Sequence, residues 1–236
     1  MRIIIDIVIL LILASCTWAG LRKGIMHEIE GILIFIVSLA VALTVSYFVS
    51  DFAVTTFKPF VSGYMESKCE TTAMEKIDFN NEEKSLNDAI LNKPELAYDY
   101  SEECFIAFGY HEKRADDLAE KAVSKYNDGA SITDAVILTA CETLCYLFCA
   151  VLIFTLVLIF INVILNLFDI SLTVPAFEKN DSKFGAITGL VKGFLISIVI
   201  CWLLSFMGAI IGRSTLDDTL LGKFFLLFEF LTDAII

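Results

Sequence analysis

Apolar and polar positions fall along this chain in long blocks rather than short periods. Residues 3–20 are almost wholly apolar, interrupted by Asp6. Residues 29–48 form a second apolar block, and a short turn with Arg22, Lys23 and His27 separates the two. So few connecting residues predict a helical hairpin. Residues 51–131 are polar, with roughly twice as many carboxylates as basic groups. Residues 132–168 are apolar again and too long for one perpendicular crossing, so their membrane core is expected at 144–165. A linker with Pro175, Glu178, Lys179, Asp181 and Lys183 leads to a fourth block, 184–211. A helix needs about 20 apolar residues to cross the hydrocarbon core. The pattern therefore predicts an all-α membrane protein with four transmembrane helices. Residues 1–50 hold spans one and two, and residues 132–212 hold spans three and four. Residues 51–131 form a helical extracytoplasmic insertion between helices 2 and 3. Residues 213–236 form a C-terminal amphipathic interfacial helix, with Leu216, Leu220, Phe224, Leu227 and Leu231 on one side and Asp218, Gly222, Glu229 and Asp233 on the other.

Composition strengthens this picture. The chain has 236 residues, 57% of them hydrophobic, including 20 Phe. Its mean hydropathy is +0.76. A soluble domain of this size is closer to half apolar. The lipid bilayer is therefore the first expected partner. A net charge of −12 excludes a nucleic-acid partner, which demands a basic face.

Orientation follows from Lys and Arg in the short loops. Arg22, Lys23, Lys179, Lys183 and Lys192 all fall on one side of a four-span plan, which should be cytoplasmic. The expected site is the cell membrane (inner or plasma), with the amino terminus and residues 51–131 outside. Leu13-Ala14-Ser15-Cys16 looks like a lipoprotein cleavage box. A signal peptide carries its positive charge before the apolar core, however, and here Arg22 and Lys23 follow it. The expectation is a retained helix, with Cys16 a small packing residue near the inner face.

Within the insertion, Leu118, Ala122 and Tyr126 recur at four-residue steps, an apolar stripe that suits an amphipathic helix. Gly129, Ser131 and Asp134 mark a helix end and restart. Tyr98, Tyr100 and Tyr110 suit either a binding face or an aromatic core. Cys69 and Cys104 are the only two cysteines in the segment and are candidates for a disulfide if the compartment is oxidising.

Candidate chemistry in the spans is sparse. Gly185, Gly189 and Gly193 share one helix face, which admits a neighbouring backbone. Gly20 and Gly24 offer a partner face, and Gly208 and Gly212 extend the idea outward. The glycines serve either packing within the chain or a homo-oligomer seam. Asp6, Glu142 and Lys192 are the membrane-embedded ionisable groups, and such groups are functional candidates. Lys192 is expected to snorkel to the cytoplasmic surface, far from both acids. Asn162 and Asn166 are expected to make inter-helix hydrogen bonds. Cys141, Cys145 and Cys149 lie on one stripe, but neither His27 nor His111 is near it in sequence, so packing is the reading. No metal, no cofactor and no enzyme activity is expected, since no nucleophile–base pair, phosphate loop or zinc motif is visible.

Asp6, the turn Gly20-Leu21-Arg22-Lys23-Gly24 and Glu28 resemble the amino-terminal signature of the colicin V production protein family. Asp181-Ser182-Lys183-Phe184-Gly185, followed by Gly189 and Lys192-Gly193, is similar to that family's entry into its last span. The resemblance covers about residues 1–50 and 145–210, while the polar stretch between them is longer than in such proteins. It implies a bacterial multi-pass inner-membrane protein aiding toxin production or export and envelope homeostasis. It also implies secretion or envelope partner proteins and no catalytic residue. Two alternatives stay open: a small oligomeric channel or transporter, and a membrane sensor using the outer segment.

Overall fold

The computed structural model describes residues 2–69, 71, 90, 93, 95–127, 131–168, 181–206 and 219–226. Pro175, Glu178, Lys179, Gly129, Gly208, Gly212 and the tail positions Leu216, Asp218, Leu227, Glu229, Leu231 and Asp233 lie outside the described residues. The helices are α1 (Arg2–Lys23), α2 (Ile25–Lys68), α3 (Glu95–Ala107), α4 (Glu112–Asn127), α5 (Ile132–Leu167), α6 (Asp181–Ser205) and α7 (Leu220–Leu226), with no strand among the described residues. Four helices are long and apolar enough to cross a membrane, at Ile3–Lys23, Ile25–Phe60, Ile132–Leu167 and Asp181–Ser205. The protein is an all-α membrane protein.

Helix α2 differs from the expected second span. It runs for 44 residues in all, past Asp51 and through Pro59, about 66 Å at 1.5 Å per residue. Phe52, Val54, Phe57 and Phe60 keep it apolar beyond Asp51, and no glycine lies between Asp51 and Gly63. Pro59 removes one backbone donor without ending the helix.

The chain divides into two compact units. The first comprises residues 1–47, 149–204 and 214–236. Its long helices expose large apolar side chains such as Ile3, Leu11, Leu33, Leu156 and Ile187, the surface a bilayer covers. Phe35 of α2 meets Phe154 of α5 edge-on, with centroids 5.4 Å apart. Helix α7 packs on α1, and Phe194 of α6 contacts the rings of Phe224 and Phe225. Gly222 is buried, although the helical wheel placed it on the polar side. The tail here packs on helices, so a residue without a side chain suits the contact.

The second unit comprises residues 48–148 and 205–213. Helices α3 and α4 pack on each other, and neither exposes a large apolar side chain among the described residues. Helix α3 stops at a Schellman turn. Gly109 takes φ +95°, Tyr110 N donates to Phe105 O at 3.1 Å, and Gly109 N donates to Ile106 O at 3.0 Å. Of the predicted stripe on α4, Leu118 and Ala122 are buried and Tyr126 is half-buried; Ala119 is buried beside them. Helix α5 restarts at a cap in which Ser131 Oγ accepts from Asp134 N at 3.2 Å. Tyr100 and Tyr110 are 1% and 2% exposed, so they are core aromatics rather than a binding face. Burial pushes the Tyr110 phenol above its ordinary value. The Arg114 guanidinium lies over the Phe206 ring at 5.2 Å and pairs with Asp117 at 3.3 Å.

Phe105 is fully buried and touches Phe108 and Tyr110 edge-on, whereas Phe52 is 80% exposed. Phe105→Ala is expected to cost about 3–5 kcal/mol in denaturant unfolding of the purified protein. Phe52→Ala in the same assay is expected to cost well under that.

Candidate functional site

The turn between α1 and α2 is one residue long. Gly24 takes φ +82°, and its N–H closes the last turn of α1 on Gly20 O at 3.1 Å. This left-handed cap demands glycine because a side chain there is strained. Helix ends leave donors and acceptors without intrahelical partners, and the start of α6 supplies them here. Asp181 Oδ1 accepts from Ile25 N, the first residue of α2, at 2.8 Å. Ser182 Oγ donates to Leu21 O near the end of α1 at 2.7 Å. An acid and a hydroxyl more than 150 positions away in sequence therefore cap both sides of the hairpin turn.

Below the turn, α1 and α6 touch backbone to backbone. A Cβ at Gly20 would lie 2.0 Å from Gly185 O, and one at Gly185 would lie 2.2 Å from Gly20 O. A Cβ at Gly189 would lie 2.3 Å from Cys16 O. Gly193 is looser, with its nearest neighbour, Cys16 Cβ, at 3.2 Å. The order Gly20–Gly185, Cys16–Gly189, Leu13–Gly193 shows the two helices running antiparallel. The structure uses all these glycines within one chain, and Gly24 faces the Asp181 carboxylate.

An ion pair is locked beside this contact. Lys192 Nζ lies 3.3 Å from Glu28 Oε2. The Glu28 side chain is 1% exposed and that of Lys192 is 26% exposed. Lys192 was expected to reach the cytoplasmic surface; it meets Glu28 instead. Side chains lean toward the amino-terminal end of their helix, so the lysine stem points back toward the turn, as snorkelling requires. A carboxylate receives it before the surface does. Gly31 leaves the room, because a Cβ there would sit 2.5 Å from Lys192 Nζ.

The other candidates are held apart from this clasp. Asp6 Oδ1 accepts from Leu221 N at 3.0 Å, so it caps the tail helix. In the second unit, Glu142 pairs with Lys125 of α4. Among the described residues, Asn162 and Asn166 show no inter-helix bond. Their amides donate to Leu158 O at 2.7 Å and Asn162 O at 2.8 Å, one turn back on α5. Both lie on an exposed face of the helix, so the nearest acceptor is their own backbone. Cys141 and Cys145 are buried and Cys149 is half-buried. No group of three or more metal-ligating side chains occurs among the described residues. Arg22 lies over the Trp18 ring at 4.2 Å, and Lys23 bonds His27 at 3.3 Å.

The sequence reading missed the capping roles of Asp181 and Ser182, the pairing of Glu28, and Gly31. The signal for Glu28 was its place one turn after Gly24, where a carboxylate near a helix start is favourable. Nothing in its spacing named Lys192 as the partner.

Residues 5–68 match the family described as Colicin V production protein. The match takes in the turn, Glu28, Gly31 and the long extension of α2, and it stops short of the second glycine motif. No curated protein and no solved structure matches the chain.

Breaking a buried pair by removing one partner typically costs about 3–5 kcal/mol, because the other charge is stranded. Lys192→Met is expected to lose that much in unfolding of the purified protein. The double variant Glu28→Leu with Lys192→Met is expected to recover most of it. A double variant no more stable than Lys192→Met would show that the pair is not the source of the loss.

Proposed function

With residues 5–68 matching the family described as Colicin V production protein, we propose that the chain is a non-enzymatic, multi-pass protein of the bacterial inner membrane. It aids production or export of a peptide toxin and upkeep of the envelope. One observation supports this reading above others. The family-matched turn and the later glycine motif form a single clasp, whose polar groups are engaged in capping and pairing rather than presented for chemistry. In this reading the protein acts by holding a membrane scaffold on which secretion or envelope partners assemble.

The test is complementation of a strain lacking the gene, assayed for toxin export and for envelope-stress sensitivity. The native chain and Gly193→Ala are expected to restore both. Gly185→Leu, which drives a side chain into the Gly20 carbonyl, is expected to restore neither at equal membrane abundance. A deletion strain unchanged in both assays would overturn the proposal.

The orientation belongs to the same proposal. Arg22, Lys23, Lys179 and Lys183 face the cytoplasm, and residues 51–131 face outward. In a cysteine-substituted chain, a thiol at Lys93 is expected to react with an impermeant maleimide in intact cells. A thiol at Lys23 is expected to react only after lysis. The reverse pattern would invert the topology.

A further inference from the structure

Three helices of the second unit meet at a small buried polar cluster. Cys69 follows directly on α2, and Cys104 lies in the middle of α3. Both are 0% exposed. They are 35 positions apart in sequence, yet their thiols are hydrogen-bonded to each other. The Tyr100 hydroxyl bonds the Cys104 thiol and lies 3.3 Å from Thr133 Oγ1 at the start of α5. Cysteine is often buried merely as a small hydrophobe. Two thiols from separate elements in direct contact, on a pair that needs no further ligand, call for another account.

We propose that Cys69 and Cys104 form a disulfide that clasps the end of α2 to α3. The oxidant is a disulfide, of a small thiol or of a dithiol protein. A thiolate of the pair attacks one sulfur of that disulfide, its S–S bond breaks, and one thiol leaves. The second cysteine then attacks the mixed disulfide and releases the other thiol. The pair gives up two electrons and two protons, one S–S bond forms, and one is broken in the donor.

The burial that brings the pair together also guards it. Burial, then the hydrogen bond that Cys104 donates to Cys69, pushes the Cys104 thiol well above its ordinary value. A buried protonated thiol is a poor nucleophile. Exchange therefore runs while α3 is undocked, and docking traps whichever form the pair has reached.

The test uses the purified full chain in lipid nanodiscs. It is equilibrated in glutathione buffers from fully reduced to fully oxidised, with a brief passage through urea so that buried thiols exchange. After acid quench, free thiols are blocked under denaturing conditions, disulfides are reduced, and the newly freed thiols receive a second label for peptide mass spectrometry. In oxidising buffer Cys69 and Cys104 are expected to carry the second label together, while Cys141, Cys145 and Cys201 carry the first. Cys69→Ser is expected to leave Cys104 with the first label, and Cys104→Ser to do the same to Cys69. First label on both cysteines in glutathione disulfide, or pairing of either with another cysteine, would overturn the proposal. As a second measurement, amide exchange from α3 is expected to slow on the order of a hundredfold in the oxidised protein, and unchanged exchange would count against a clasp. Because these measurements use purified protein, their outcome does not depend on which side of the membrane the unit occupies.

Discussion

Two helices in hydrocarbon gain nothing by burying leucine against leucine, because the lipid tails are equally apolar. What draws them together is close packing and polar contact. In the first unit this constraint is met where α1 and α6 touch through their backbones, at Gly20, Gly185 and Gly189. The other contacts of the clasp depend on that approach. Asp181 and Ser182 reach the turn only because the start of α6 lies against the end of α1. Lys192 comes within range of Glu28 only because α6 is held at that separation. A single Cβ at Gly20 would remove the geometry on which the caps and the ion pair rest.

Charge in this unit follows a second rule, that ionisable groups inside the membrane require partners. Asp6 answers it with the amide of Leu221, and Glu28 and Lys192 answer it with each other. A buried pair contributes little net stability, since desolvation offsets the attraction. Its effect lies in the cost of the alternatives. Sliding α6 by one turn against α1 would strand two charges and the Asp181 cap together. The pair and the cap thus fix the register that the glycine faces, repeating every four residues, would otherwise leave degenerate.

Much of this plan is legible from residue order because it rests on local pattern. Apolar blocks of bilayer length locate the four spans, and a four-residue glycine spacing announces a close-approach face. Leu118 and Ala122 likewise foretell the buried stripe of α4. Less legible were features set by distant partners. Lys192 and Glu28 lie 164 positions apart, and either one alone suits an interfacial role. Asn162 and Asn166 carry the composition of inter-helix bridges, but whether a neighbour faces them is a property of the packed unit. The continuation of α2 through Pro59 was hidden because Asp51 and the polar stretch after it look like an exit from the membrane. Apolar side chains on one helix carry past a single exposed acid without a break.

The two units are held by opposite physics, and that decides what each tolerates. The second unit has an ordinary core in which Tyr100, Phe105 and Leu118 fill space and small alanines on α4 admit α3. Such a core loses stability when a large side chain is cut down, since a cavity replaces contacts. In the first unit, large side chains such as Phe160 and Ile187 face outward, where lipid refills any space they vacate. There the damaging change is enlargement of a small residue, because the contact is between backbones. Substitutions that lose function should therefore shrink residues in residues 95–148 and enlarge them at Cys16, Gly20, Gly31, Gly185 and Gly189. A motif written in glycine is what such a contact leaves in a sequence.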